Sequence, residues 1–352
     1  MNIQLDGHKL LYHPNEVSKW VNNELFAPVY VEIGVTSACN HRCSFCAFDY
    51  LGERNDSIEK SVLMDNIRDM AAFGVKSIMF GGEGEPLVYP HLTEAIEEGK
   101  KQGLDIAITS NGVLFTEEKC KNVLKNLAWI KFSVDSGTAE NYAKMHGTVP
   151  EDFSKLLANM KFAAKYKREN SITSAIGCQM VVVDENINEV EKLILQIKDF
   201  GLDYLVLKPY VKHPESINDK TLSMADYDKV LSELVKKYEK DLKIIFRGLS
   251  FSEIEKNALD YEHCYGVNFM GLIDAKGNVI PCSVFYEKPE FYYGNINTQK
   301  FSEIWASKRR LEIVEKVLKK GCENCRNNCR LNFVNKYLSD VKHRSKTHIN
   351  FI

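Results

Sequence analysis

The sequence predicts an α/β fold followed by a small α+β module, and three patterns carry that prediction. Short β-rich runs alternate with helical stretches from residue 29 onward, six such units succeed one another, and near residue 246 a cysteine-bearing hairpin pattern replaces them. Six β/α units imply a parallel sheet with helices outside it, as an open barrel or a doubly wound sheet. With 352 residues the chain exceeds a typical single domain, a size that α/β barrels reach with one core.

The elements follow in order. Residues 1–28 are an N-terminal extension. The strands are expected at VYVEIGV (29–35), KSIMF (76–80), DIAIT (105–109), WIKFSV (129–134), AIGCQMVVV (175–183) and DYLVLK (203–208). A helix is read where Val190, Leu193, Ile194, Ile197 and Phe200 recur at helical spacing and Gly201 supplies the stop. Strand alternation puts Ile130, Phe132 and Val134 under the helices, and turns Lys131 and Ser133, with Asp135 just beyond, to the inner face. Ile176, Cys178, Met180 and Val182 make the apolar face of the fifth strand and leave Gly177 and Gln179 inside, while Glu32, Gly34 and Thr36 face inward ahead of the first cysteines. Beyond 246, VNFMGLIDAKGNVIPC reads as a hairpin turning at Asp274–Asn278, followed by a helix near 301–318, the run CENCRNNC and a polar helical tail. The division is 29–246 for the β/α body and 247–352 for the module.

Composition narrows the function. Apolar content of 44% and charged content of 27% are those of an ordinary globular protein, and a formal net charge of −2 gives no footprint for nucleic acid or an anionic membrane. The stretch MNIQLDGHKLLYHPNE lacks the apolar core of a signal peptide and no run reaches membrane-spanning length, so a cytoplasmic protein is expected. Thiols there are kept reduced, and eight of the ten cysteines fall in two groups, which favours metal or iron–sulfur ligation over disulfides.

Cys39, Cys43 and Cys46 lie in CNHRCSFC, directly after the first strand. Three thiols without a fourth leave a ligand position open, as sites that do chemistry require. With Phe45 before the last cysteine, the C-x3-C-x2-C run resembles the signature of the radical S-adenosylmethionine (SAM) superfamily. The resemblance implies a partial (β/α)6 TIM-type barrel and a [4Fe–4S] cluster on these three thiolates, its open iron binding the amino and carboxylate groups of SAM. FGGEGEP (80–86) resembles the family's Gly-Gly-Glu-Pro loop, with Gly84, Glu85 and Pro86 carrying the match and Glu83 standing where its first glycine would be. TSNG (109–112) and SVDSG (133–137) end the third and fourth strands, where the family contacts SAM or substrate. Ser110, Asn111, Ser133, Asp135 and inward-facing Gln179 therefore join Phe45 as cofactor-binding candidates.

Cys264, Gly277 and Cys282 read as C-x12-G-x4-C, and Cys322-x2-Cys325-x3-Cys329 follows. By themselves these thiols fit zinc as well as iron–sulfur. After a radical SAM signature they resemble the SPASM/twitch module, which implies one auxiliary [4Fe–4S] cluster on Cys264, Cys282, Cys322 and Cys325, with Cys329 as substitute or spare. Such a cluster would accept an electron from a substrate radical, and a donor such as flavodoxin or ferredoxin would reduce the first. Lys208 and Arg247 are the candidate catalytic residues, Lys208 at the end of the sixth strand and Arg247 between the two parts. Cys178, on the helix side of its strand, reads as structural rather than as a hydrogen donor. The resemblance points to a small carbohydrate-type substrate, a sugar, nucleotide-sugar or aminocyclitol, that is dehydrogenated or epimerised. A peptide- or protein-modifying maturase is the alternative, and a non-catalytic iron–sulfur or zinc protein a remote one.

Overall fold

The computed structural model describes residues 8–222, 227–246, 259–322, 325, 326, 329–343 and 348–350. Ten strands form one sheet: β1 (Tyr30–Ile33), β2 (Ser77–Phe80), β3 (Asp105–Ser110), β4 (Trp129–Ser133), β5 (Ala175–Val182), β6 (Tyr204–Pro209), β7 (Ile244–Phe246), β8 (Met270–Ile273), β9 (Asn278–Ile280) and β10 (Gly294–Asn295). Their spatial order is β10-β9-β8-β1-β2-β3-β4-β5-β6-β7. The first seven run parallel and in sequence, the ordering that β/α crossovers produce. The six strands expected from the sequence are all present, and the short β7 extends the parallel row.

The hairpin of the C-terminal module does not stand apart. Its first strand β8 pairs in parallel with β1, Tyr30 opposite Met270 and Ile33 opposite Ile273, and β9 returns antiparallel to β8. The turn between them is tied by Asp274, whose carboxylate accepts from the amides of Lys276 and Asn278. The cysteine-bearing module therefore shares the sheet of the barrel.

Helices cover the outer face. Among them are α1 (Pro14–Val21), α2 (Lys60–Phe73), α3 (Leu92–Lys101), α4 (Glu117–Val123), α5 (Ala139–His146), α6 (Pro150–Glu169), α7 (Val190–Ile197) and α8 (Tyr227–Tyr238). Of the stripe read from the sequence, Val190, Leu193, Ile194 and Ile197 are fully buried in α7, each side chain contributing about 1.5–3 kcal/mol, while Phe200 lies beyond the helix end and is half-buried. Ile130, Phe132 and Val134 are likewise buried beneath the helices. Lys131 turns the other way and its Nζ donates to Gln179 Oε1 at 2.9 Å, so both lie on the inner face.

The helix expected near 301–318 is two helices, α9 (Phe301–Ala306) and α10 (Lys308–Lys320). Ser307 breaks it: its backbone is extended, and its hydroxyl accepts from the Arg310 amide as an N-cap for the second helix. The tail forms α11 (Asn332–His343). Arg247 follows β7 directly and lies outside the described residues.

Candidate active site

At the C-terminal ends of the strands, three loops meet. The first carries Cys39, Cys43 and Cys46. It is pinned to the segment before α2, where the Ser37 amide donates to Asp56 O at 2.9 Å and Thr36 Oγ1 to the same oxygen at 3.0 Å. On its other side it docks on the end of α5, with Arg42 N donating to His146 O (2.9 Å) and Ser44 N to Met145 O (2.8 Å). Gly147, at φ +57°, makes this docking possible, because a Cβ there would sit 2.2 Å from Arg42 O. Arg42 folds back on its own loop and donates to the carbonyls of Cys39 and His41.

The second loop, residues 81–86, follows β2. Gly84 passes so close to the cysteine loop that a Cβ would meet Thr36 O at 2.3 Å and Ala38 O at 2.7 Å. The Glu85 amide donates to Ala38 O at 3.0 Å. The Glu85 side chain is buried and links loops: Oε1 accepts from Ser110 Oγ (2.7 Å) and the Leu87 amide (3.0 Å), and Oε2 from the Asn111 amide (2.8 Å). Burial raises its pKa against these bonds. The third loop completes the rim, where Asn111 Nδ2 donates to Asn40 Oδ1 at 2.7 Å, beside Cys39.

The loops enclose a cavity of about 330 Å³ whose wall includes all three thiols. Of the cofactor-binding candidates, Phe45, Gly84, Glu85, Ser110, Asn111, Ser133, Asp135 and Gln179 line it, and so does Lys208. Pro86 is absent from the wall; buried, it starts the short 3₁₀ turn Pro86–Val88, where its fixed φ shapes the loop exit rather than touching a ligand. A larger cavity of about 610 Å³ lies at the opposite, N-terminal ends of β1 to β4 and holds no cysteine.

Burial pushes the Cys39 thiol up to about 11, and those of Cys43 and Cys46 up as well, with the neighbouring thiols adding to the effect on Cys39 and Cys43. Such thiols ionise readily only onto a cation, and thiolates on a cavity wall are the donors an iron–sulfur cluster takes. The donor set therefore fits the three-thiolate mount that the motif implies.

Two histidines escaped the sequence reading. His146 Nδ1 lies 3.4 Å from Cys43 Sγ, and its Nε2 lies 3.2 Å from Asp135 Oδ2. Tyr142 stacks on its ring at 4.1 Å, and His41 packs edge-on at 5.4 Å. The only signal for His146 was its place before the glycine that ends α5. Asp135 is buried, and its Oδ1 accepts the Val181 amide at 2.6 Å.

The second cysteine group is assembled from the hairpin and the segment after α10. Cys264, Cys282, Cys325 and Cys329 act on one another electrostatically, and Cys264 pairs with the Cys322 thiol. Asn335 Nδ2 donates to Cys264 Sγ and the Leu331 amide to Cys329 Sγ, both at 3.4 Å. All five thiols thus share one neighbourhood, Cys329 included, and none of the ten cysteines forms a disulfide.

Known protein families resemble the chain over the stretches that hold both cysteine groups. Residues 33–197 match the radical SAM superfamily and residues 264–330 an iron–sulfur cluster-binding domain, SPASM. The tungsten-containing aldehyde ferredoxin oxidoreductase cofactor-modifying protein of Pyrococcus furiosus is 26% identical over 322 residues, 84% of this chain and 86% of that protein. The cysteine-type anaerobic sulfatase-maturating enzyme of Clostridium novyi is 25% identical over 337 residues, 84% of this chain and 86% of that protein. In structure, Streptococcus suis SuiB bound to precursor peptide SuiA superposes with a TM-score of 0.67 at 16% identity, over 89% of this chain and 75% of that one.

Proposed function

We propose, for a chain that is a radical SAM enzyme with a C-terminal SPASM iron–sulfur domain, that it is a maturase modifying a residue of a peptide or protein. The cofactors that these domains imply are [4Fe–4S] clusters, one of them auxiliary, and SAM. Bound, they would supply a 5′-deoxyadenosyl radical for abstracting hydrogen. In this reading Cys39, Cys43 and Cys46 hold the first cluster. Glu85 fixes the three rim loops against one another. Phe45, Ser133, Asp135 and Gln179 form the wall on which SAM lies. Cys264, Cys282, Cys322, Cys325 and Cys329 supply the auxiliary ligands, within a module at 247–352.

The observation that carries the substrate class is the cavity. At about 330 Å³ it is at the low end for a single drug-sized ligand, so SAM alone fills most of it. It opens to solvent, and a substrate reaching it from outside need insert only one side chain. Of two relatives that span most of the chain, the name of one, a sulfatase-maturating enzyme, points the same way, and the name of the other speaks of cofactor modification. Neither name carries the carbohydrate-type substrate that the module's resemblance suggested. The test is mass spectrometry of candidate peptides and proteins co-expressed with the enzyme under anaerobic conditions. A mass change that needs the enzyme and SAM is expected, and turnover of sugars or aminocyclitols with every peptide unchanged would refute the reading.

A further inference from the structure

Four polar side-chain atoms beside the cavity are shielded from solvent yet have no hydrogen-bond partner among the described residues: Tyr50 Oη, Glu83 Oε2, Tyr286 Oη and Arg326 Nε. Buried polar atoms are nearly always paired, so such a group marks a place where something polar binds. The four are neighbours, with His213 among them. Tyr50 stacks on His213 at 5.3 Å, and Phe48 lies 5.2 Å from the Tyr286 ring and 6.4 Å from His213. A Cβ on Gly82 would lie 3.5 Å from Tyr286 Oη, which puts that phenol against the rim loop. Glu83, Arg326 and Phe48 line the cavity itself.

All four can present a hydrogen. The Arg326 guanidinium only donates; its Nη2 reaches Val211 O at 3.1 Å and leaves Nε–H over. His213 Nδ1 accepts the Glu215 amide at 3.2 Å, which puts the proton of the neutral ring on Nε2, toward the Ser283 backbone. Burial, with Arg326 nearby, holds that ring neutral by pushing its pKa down to about 4. Glu83 Oε1 accepts the Ala275 amide at 2.8 Å, and burial pushes the carboxyl up to about 8, so Oε2 carries a proton at neutral pH. Burial likewise keeps both phenols protonated. Among them Arg326 alone carries a fixed charge and cannot accept, which favours a ligand group that accepts.

We propose that this seam anchors a carboxylate of the substrate, with Arg326 Nε–H and the Glu83 carboxyl as its two direct donors and Tyr50, His213 and Tyr286 as the layer behind them. A carboxylate accepts without donating, and one guanidinium balances its charge. An ammonium or guanidinium group would meet the like charge of Arg326 there. The inference deepens the maturase reading and depends on it for the identity of the anchored molecule as substrate. It selects among peptides those with an acidic group near the modified residue.

The test uses the anaerobic holoenzyme with SAM and reads binding from line broadening of probe resonances. Benzoate should bind at least about tenfold more tightly than benzamide at pH 7, the effect of one charge-assisted hydrogen bond. Arg326→Gln should cost benzoate about tenfold and Arg326→Lys should recover part of it. Glu83→Gln keeps a neutral donor and should hold benzoate, while flattening the fall in affinity that the unaltered protein shows as pH rises through 8. The charged and titratable groups facing Glu83 are Asp274, Asp56, Arg54, Tyr50 and Tyr286, and they are common to both proteins. Equal binding of benzoate and benzamide overturns the proposal, as does full benzoate affinity in Arg326→Gln. Tighter binding of phenyl phosphate than of benzoate overturns the carboxylate assignment. Because Arg326 adjoins Cys325, iron and sulfide are assayed in each variant; should Arg326→Gln lose iron, the probe comparison on the unaltered protein decides, with Glu83→Ala expected to lose benzoate. Release of 5′-deoxyadenosine by the unaltered holoenzyme without probe tests the radical SAM assignment separately, so the two failures look different.

Discussion

The two cysteine groups differ in how the chain holds them. Cys39, Cys43 and Cys46 come from one short irregular loop, and their thiols stand on the wall of an open cavity. Cys264, Cys282, Cys322, Cys325 and Cys329 are gathered from the hairpin, the end of a helix and the run beyond it, and Cys264 and Cys282 pack against the hydrophobic core. Three thiols on a cavity wall suit a group that must receive a ligand, whereas five thiols gathered from separate segments suit one that is fully ligated. The difference teaches that thiol number and access together, rather than cysteine count, separate a reactive centre from an accessory one.

Removing the open group is the harshest way to break that comparison. With Cys39, Cys43 and Cys46 all replaced by alanine, 5′-deoxyadenosine formation from SAM and dithionite should fall by on the order of 10⁶-fold or to background. Iron should drop by about four per chain while the auxiliary cluster's spectrum remains. Loss of all iron instead would mean that the two centres assemble together. Next in size is Cys282→Ala, which should also remove about four irons. It should depress peptide modification more than about tenfold, with a much smaller loss of SAM cleavage measured by chromatography. An equal loss of both would deny the closed group its accessory role.

Gly84→Ala sharpens the comparison without touching a thiol. The new Cβ would collide with the carbonyls of Thr36 and Ala38, backbone that cannot turn aside. Retreat of the 81–86 loop from the cysteine loop should weaken SAM binding about tenfold and cost about 1–3 kcal/mol of stability. Calorimetric titration with SAM and thermal unfolding check the two effects. The auxiliary site, more distant along the chain, should keep its spectrum.

Much of this was legible in the sequence because it is local. Strand alternation placed Lys131 and Gln179 on one inner face, and the structure joins them. The loops after β1, β2 and β3 converge because parallel strands bring their C-terminal ends to one rim. What was hidden depends on long-range pairing or on single contacts. The β8 pattern announces a strand but not that β1 is its neighbour. His146 reaches Cys43 from more than a hundred positions away. Glu83 was visible only as a departure from a motif, and its unpaired oxygen shows only once Ala275 takes the other one. Arg326 lay inside a cysteine run, where the cysteines drew the reading, and its place on the cavity wall needed the fold.

The smallest expected effect belongs to a cysteine in neither group. Cys178 is fully buried on the helix side of β5, paired across the sheet with Phe132 and Leu205. Burial raises its thiol pKa, so it stays protonated and apolar in behaviour. It does not line the cavity, although Gln179 beside it does, because successive residues on a strand face opposite ways. A thiol on that side cannot deliver hydrogen to a substrate radical without turning the strand over. Cys178→Ala should therefore lower stability by about 1–2 kcal/mol through a small unfilled space, and the thermal midpoint by a few degrees. Product formation should stay at the level of the unaltered enzyme. A selective loss of product with the folded fraction unchanged would place that thiol in the chemistry, and would mean that the strand's inner and outer faces are not as separate as the packing of Ile176, Cys178 and Met180 requires.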